Sequence, residues 1–227
     1  MKKFVVFSLL AALSVNTFAA GIKTRMRPQD RFIIETFVDI WQNVPGDIKS
    51  GSLDRGASIS YLYDYPIGLT NFSLAAGFNY TSHNYYTENH IYTRVGDTDV
   101  FDFVEPEGLK LDKAKISLNY IAIPFELRFY VRSLPKTLRI HGGFKTAFLV
   151  NGYNKYSGKQ EYGNNSYEIK VREYELGNIE SIMYGVTARL GYGRFNVFGF
   201  MPLNNIFNDN DAENMYPISV GLSLILF

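Results

Sequence analysis

The stretch Ala57-Ser58-Ile59-Ser60-Tyr61-Leu62-Tyr63-Asp64-Tyr65 places Ala57, Ile59, Tyr61, Tyr63 and Tyr65 on one side and Ser58, Ser60 and Asp64 on the other. Side chains alternate across a strand, so this period of two means β-structure with one apolar face and one polar face. The pattern recurs. Phe72 to Thr81 sets Phe72, Leu74, Ala76, Phe78 and Tyr80 against Ser73, Ala75, Gly77, Asn79 and Thr81. Leu138 to Val150 sets Leu138, Ile140, Phe144, Phe148 and Val150 against Arg139, His141 and Lys145. Ile182 to Tyr192 sets Ile182, Tyr184, Val186, Ala188, Leu190 and Tyr192 against Gly185, Thr187 and Arg189. At the end of the chain, Ile218, Val220, Leu222, Leu224 and Leu226 alternate with Ser219, Gly221, Ser223, Ile225 and Phe227. Three less regular segments, Phe32 to Trp41, Lys115 to Val131 and Arg194 to Met201, bring the predicted strands to eight. Pro124 cannot donate to a ladder, so a register shift is expected near Ala122 to Pro124, after which Glu126 and Arg128 turn inward.

The connections set the architecture. After strands two, four and six they are short, around Ile67 to Asn71, Arg132 to Lys136, and Gly193. After strands one, three, five and seven they are longer: Gln42 to Arg55, His83 to Ala114, Asn151 to Glu180, and Pro202 to Met215. All four large loops therefore leave one end of an antiparallel meander, the form of an outer-membrane barrel with short periplasmic turns and long outer loops. A soluble lipocalin-like barrel has the same periodicity with its apolar face turned inward. The polar faces favour the membrane form. Glu35, Asp39, Asp64, Glu126, Arg128, Arg139, His141, Lys145 and Arg189 carry both signs, and the opposite faces are aliphatic and aromatic. The fold class predicted is all-β, an eight-stranded antiparallel up-and-down transmembrane β-barrel. Ile59, Tyr61, Tyr63, Leu74, Ala76, Phe78, Val186, Ala188 and Leu190 are expected to face lipid, and the charged set to form a paired lumen network, because an ion removed from water needs partners. Leu62, Ile121 and Met183 are read as bulky inward residues, with Gly77, Gly143, Gly185 and Gly191 as places where space could remain. Trp41, Tyr80 and Tyr184 are expected in an outer aromatic girdle, and Tyr65, Phe72, Phe129 and Tyr192 in a periplasmic one.

Composition supports this and narrows the function. The 227 residues are 46% hydrophobic and 16% aromatic, with 17 Tyr and 18 Phe but a single Trp, a mixture that favours strands. The 23 basic and 22 acidic side chains leave no broad field for nucleic acid, which is excluded as a partner. The absence of cysteine excludes disulfides and thiolate chemistry. Residues 1–19 carry Lys2 and Lys3, an apolar run from Phe4 to Val15, and Thr17-Phe18-Ala19, the layout of a signal peptide cut after Ala19. The mature barrel domain is then 20–227.

One resemblance rests on Tyr120-Ile121-Ala122-Ile123-Pro124-Phe125-Glu126-Leu127-Arg128-Phe129, on Gly142-Gly143-Phe144-Lys145-Thr146-Ala147, and on Ser219 to Phe227. These segments resemble the small PorT-like and OmpX-like outer-membrane β-barrel proteins of Gram-negative bacteria. The resemblance implies an integral outer-membrane protein whose terminal Phe227 acts as the signal to the barrel-insertion machinery. One departure is that the more apolar face of the last strand holds Leu222, Leu224 and Leu226 rather than Phe227.

No cofactor and no metal site is expected. Ser82, His83, Glu88 and His90, with Asp97 and Asp99, form the only constellation suited to rim catalysis, and no motif fixes their distances, so the chain is read as non-enzymatic. His83 and His90 lack a third placed ligand for a transition metal. His141 is expected to make an interior hydrogen bond. The function expected is a structural, envelope-interaction or secretion-accessory role through contact with outer-membrane lipid and an envelope protein partner. A small pore or conduit for an apolar molecule is the alternative, and a rim hydrolase comes third.

Overall fold

The computed structural model describes residues 30–44, 53–88, 90–94, 101–106, 108–131, 136–162, 165–174, 176–207 and 215–226. Residues 1–19, read above as a signal peptide, and Asp97, Asp99 and Phe227 lie outside them.

Among the described residues eleven strands are formed: β1 (Phe32–Gln42), β2 (Asp54–Pro66), β3 (Phe72–Thr87), β4 (Ile91–Arg94), β5 (Phe101–Val104), β6 (Leu109–Tyr130), β7 (Leu138–Tyr162), β8 (Asn165–Tyr174), β9 (Ile182–Tyr192), β10 (Phe195–Pro202) and β11 (Tyr216–Ile225). Eight of them close a barrel in the order β1, β2, β3, β6, β7, β9, β10, β11, with β11 returning antiparallel to β1 from Ile33↔Ile225 to Gln42↔Tyr216. Closure leaves no free edge around the wall, which is what a sheet needs in a medium that offers no hydrogen bonds. The remaining three strands stand outside the ring. β4 and β5 form a hairpin, and β8 pairs with the upper part of β7.

The wall is uneven in height. β10 has 8 residues and β1 has 11, whereas β6 has 22 and β7 has 25. At about 3.3 Å per residue β7 is some 80 Å long, far more than the 9–11 tilted residues that cross a bilayer. The surplus lies at one end. β6, β7 and β8 continue past the barrel as a three-stranded sheet, so two of the expected long loops, 83–114 and 151–180, are largely strand.

Alternation decides which residues face the lumen. Ile59, Tyr61, Tyr63, Leu74 and Phe78 point outward and are exposed, as do Val186, Ala188 and Leu190, while Ala76 is half-exposed on the same face. Exposure reaches 68% at Phe78, 74% at Phe195 and 68% at Leu222, an apolar belt around the wall that a water-soluble barrel would turn inward. On β11, Val220 and Leu222 face out, and Ser219, Ser223 and Ile225 are buried. Ser60 and Asp64 on β2, and Thr187 on β9, point in and are buried.

Four expectations are corrected here. Pro124 causes no phase change: Ile121, Ile123, Phe125 and Leu127 all face out, and Ala122, Pro124, Glu126 and Arg128 all face in. Its missing N–H is absorbed instead as a gap in the β3–β6 ladder, which pairs Ala76↔Phe125 and resumes at Asn79↔Ala122 in the same register. The shift occurs at Asn119/Tyr120, where β7 accommodates an extra residue. Ile121 is consequently outward, not a lumen residue. Trp41 is not in an outer girdle. Its ring lies on the inner face against Tyr85 at 4.6 Å and Phe207 at 6.0 Å. The inward glycines leave no room in the lumen. A Cβ at Gly77 would lie 2.0 Å from the carbonyl oxygen of Tyr61, and one at Gly143, Gly185 or Gly191 would lie 2.2 Å from a carbonyl oxygen of the adjacent strand. Those positions let neighbouring backbones approach closely.

Candidate functional site

The interior divides into two layers. At the end with the short turns, β1, β2, β6, β7 and β9 each aim charged side chains at the axis. Arg189 Nε donates to Glu35 Oε1 at 2.7 Å, and Arg189 Nη1 donates to Glu126. Arg128 Nε reaches the other oxygen of Glu126 at 2.9 Å, and its Nη1 lies 3.5 Å from Asp64. Ser58 donates to Glu35 at 2.6 Å and Ser73 to Asp64 at 2.6 Å. Asp30, just before β1, closes the layer, with Arg139 Nη1 at 3.3 Å, Tyr130 OH donating at 3.1 Å, and its own carbonyl accepting from Arg128 at 2.8 Å. All these side chains are buried, and Arg128 is 0% exposed. Removing an ion from water costs several kcal/mol, about 20 for a bare ion in a dry medium, so each guanidinium is tolerable only because carboxylates meet it.

The rest of the interior is mostly aromatic and apolar, with a few polar groups set among the rings. Lys145, buried above the ionic layer, has its Nζ 3.9 Å from the centroid of the Phe200 ring, a cation–π contact. Higher still, Asp39 accepts from His83 Nδ1 at 2.8 Å and from Ser219 Oγ at 2.5 Å. The His83 ring lies among Phe37, Tyr85 and Tyr120, with centroids at 5.0, 5.7 and 6.0 Å. Over this, Trp41, Tyr92, Phe103, Ile179, Ile206, Phe207 and Met215 pack into one apolar cluster that draws on β1, the β4–β5 hairpin and the segments beside β9 and β10. Asn154 Nδ2 donates to the Tyr92 carbonyl at 2.7 Å, and Tyr92 OH to that of Gly177 at 2.9 Å, tying the hairpin down as a cap. The space left under the cap beside Trp41, Tyr85 and Met215 is about 10 Å3, the size of a single water.

The constellation read as a rim site is not a rim site. His83 is not in a loop: β3 runs on to Thr87 and buries His83 in the lumen, while His90 lies beyond that strand. His83 does meet a carboxylate, but in an order unsuited to nucleophilic chemistry. Ser219 donates to Asp39, and the Nε2 that would activate a hydroxyl has no hydrogen-bond partner among the described residues. Among the described residues no group of His, Asp and Glu has metal-binding geometry. His141 lacks the interior hydrogen bond expected of it: neither ring nitrogen has a hydrogen-bond partner among the described residues, and the ring instead faces Tyr130 at 5.6 Å. The sequence reading overlooked Asp30, Ser58, Ser73, Tyr130 and the capping cluster.

At the mouth, Asp54 opens β2 one residue beyond the outward and exposed Arg55, past the apolar belt. Burial pushes its carboxyl up to about 6, although the Tyr86 backbone N–H (2.5 Å) and the Trp41 side chain donate to it, and Asp39 nearby raises it further.

A closed eight-stranded meander with an apolar exterior and an ion-paired interior defines the integral barrel class of membrane proteins. Residues 16–208 match the family model described as "Outer membrane protein beta-barrel domain", and the chain belongs to that family. No curated protein and no solved structure matches it. It is an integral outer-membrane β-barrel protein.

Proposed function

We propose that this protein is a sealed, non-enzymatic anchor that holds an extracellular β-sheet against the bacterial surface, where the sheet meets other envelope components. The observation that carries this reading is the filled interior. Ion pairs occupy one half of the lumen and an aromatic cap the other, so the barrel offers no path for a solute. The short-turn end faces the periplasm, and β6, β7 and β8 project outward. Residues 1–19 are the export signal, and Phe227 engages the insertion machinery. No reaction is assigned, because among the described residues no hydroxyl hydrogen-bonds to His83 Nε2.

Single-channel recording in planar bilayers tests the reading. A folded barrel, recognised by heat-modifiable migration in detergent gels, should be electrically silent. Steady conductance steps would replace this function with transport. The chain has no cysteine, so Ser166→Cys on β8 gives a single thiol, which a membrane-impermeant maleimide should label on intact cells. Labelling only after lysis would invert the orientation.

A further inference from the structure

The outward face of the projecting sheet carries charge in an arrangement that the fold does not require. Lys115 on β6 is the register partner of Lys155 on β7, and Lys155 is the partner of Arg172 on β8. Three cations thus stand in one row across three neighbouring strands. Like charges directly opposite each other in a sheet destabilise it, so the row weakens the sheet unless an anion covers it. Lys113 lies beside the row, and Lys170 and Arg55 line the same groove, which holds about 730 Å3. Among the described residues, only Lys170 of these six has a carboxylate partner, Glu168 at 2.8 Å, and Asp112 also lines the groove. The chain as a whole is almost neutral, at +1, so this excess is local.

Tyrosines interleave with the cations. Arg172 lies 4.0 Å from the centroid of the Tyr153 ring, Lys115 is 6.0 Å from the same ring, and the Tyr86 ring has Arg55 and Lys115 each at 5.9 Å. These rings hold the cations flat against the sheet and leave their charge available. Tyr174, on the same face of β8 as Arg172, is exposed, a flat apolar surface suited to the face of a sugar ring.

Height selects the ligand. Lys115 is six residues beyond the outward Ile121, and Lys155 is five beyond the outward Val150, which puts the row about 15 to 20 Å along the strands past the apolar belt. With strands tilted by about 45°, that is roughly 10 to 15 Å above the hydrocarbon, whereas a phospholipid headgroup layer is only about 5 to 7 Å deep. Phosphates at that level must be carried on saccharide. We propose that the outward face of β6, β7 and β8, centred on Lys115, Lys155 and Arg172, binds the phosphorylated saccharide headgroup of an outer-leaflet glycolipid. This inference rests on the outward orientation given under Proposed function.

The test uses the full mature barrel folded in detergent and titrated with purified lipopolysaccharide carrying a phosphorylated inner core, beside the same material after phosphatase treatment. A cation near an anionic lipid surface is worth about fivefold in affinity. The Lys115→Gln/Lys155→Gln/Arg172→Gln variant should therefore bind the phosphorylated form at least about tenfold more weakly, and wild type should lose a similar factor on the dephosphorylated form. Without lipid, the variant should melt no lower than wild type, since the like-charge row is gone. Lys155→Gln alone gives a milder version of each change. Undiminished binding by the triple variant would overturn the proposal. So would an equal loss from Lys136→Gln/Arg194→Gln at the opposite end, or preference for polyglutamate over lipopolysaccharide. A wild-type chain that is not heat-modifiable, or a Ser166→Cys variant whose thiol is labelled only after lysis, would instead remove the reading beneath it.

Discussion

The two halves of the lumen are closed by opposite chemistry. The half near the short turns is ionic, built from side chains on barrel strands whose alternation fixes their direction: Glu35, Asp64, Glu126, Arg128 and Arg189. The outer half is aromatic, and much of it comes from outside the ring, from the β4–β5 hairpin and from Ile206 and Phe207. One half is part of the wall and shares its fate. The other is a cap laid onto a finished wall, and it can open by itself.

The largest effect should come from the ionic half. Arg189→Met leaves Glu35 and Glu126 buried without their shared partner and should cost about 3 to 5 kcal/mol in urea titrations of the barrel in lipid vesicles. Replacing Glu35 and Glu126 by Gln in the same chain should recover most of that loss. A harmless Arg189→Met would mean that the network does not stabilise the wall. Somewhat smaller is the penalty on the outer surface. Ala188→Arg, midway along β9 and facing out, should cost about 2 to 4 kcal/mol in the same titration. If Ala188→Arg is tolerated while its inward neighbour Thr187→Arg is ruinous, the apolar belt does not meet lipid.

Substitution in the cap should separate the halves. Phe207→Ala removes a ring that touches Trp41, Tyr92 and Phe103, yet global stability should fall by only about 1 kcal/mol because the cap opens locally. Amide exchange at Ile91 and Tyr92 should accelerate while that of β9 stays slow. Concerted acceleration in both would show that cap and wall unfold as one. The smallest effect is a pH dependence confined to the mouth. The Asp54 carboxyl is raised in the folded protein, the reverse of the usual case, so the folded state binds its proton more tightly than the unfolded chain does. Its ionisation penalty is fully present above about pH 6 and is relieved as pH falls from there towards the ordinary value of 3.8. Protection of the cap amides, each rate taken relative to the intrinsic rate at the same pH, should rise between pH 7 and pH 5, and Asp54→Asn should abolish that rise.

The same division explains what was legible in the sequence. Ala57 to Tyr65 and Ile182 to Tyr192 alternate apolar with polar because one side meets the belt and the other the lumen, and the eight-stranded meander followed from that contrast. Past the belt the contrast vanishes. Ser82-His83-Asn84-Tyr85-Tyr86-Thr87 continues β3, but its inward His83 and Tyr85 are no more apolar than its outward Asn84 and Tyr86, so the stretch has the look of a loop. Its tyrosines and threonine, favourable in strands, were the signal available. Asp30 precedes β1 and belongs to no alternating run, which hid its pairing with Arg139 and Tyr130. Pro124 suggested a shift because a ladder normally needs its N–H, whereas the wall accommodates it with a local gap opposite Gly77 and Phe78.

Trp41 is the only tryptophan in the chain, and although its backbone belongs to strand β1 of the wall, its ring packs into the cap. Intrinsic emission excited at the red edge of the indole band is therefore a private signal from the mouth, undiluted by the strands that cross the membrane. A refolding experiment followed by that emission times the closing of the lid, and gel migration of the same sample times the closing of the ring, so any interval between the two is the lifetime of an open-topped barrel.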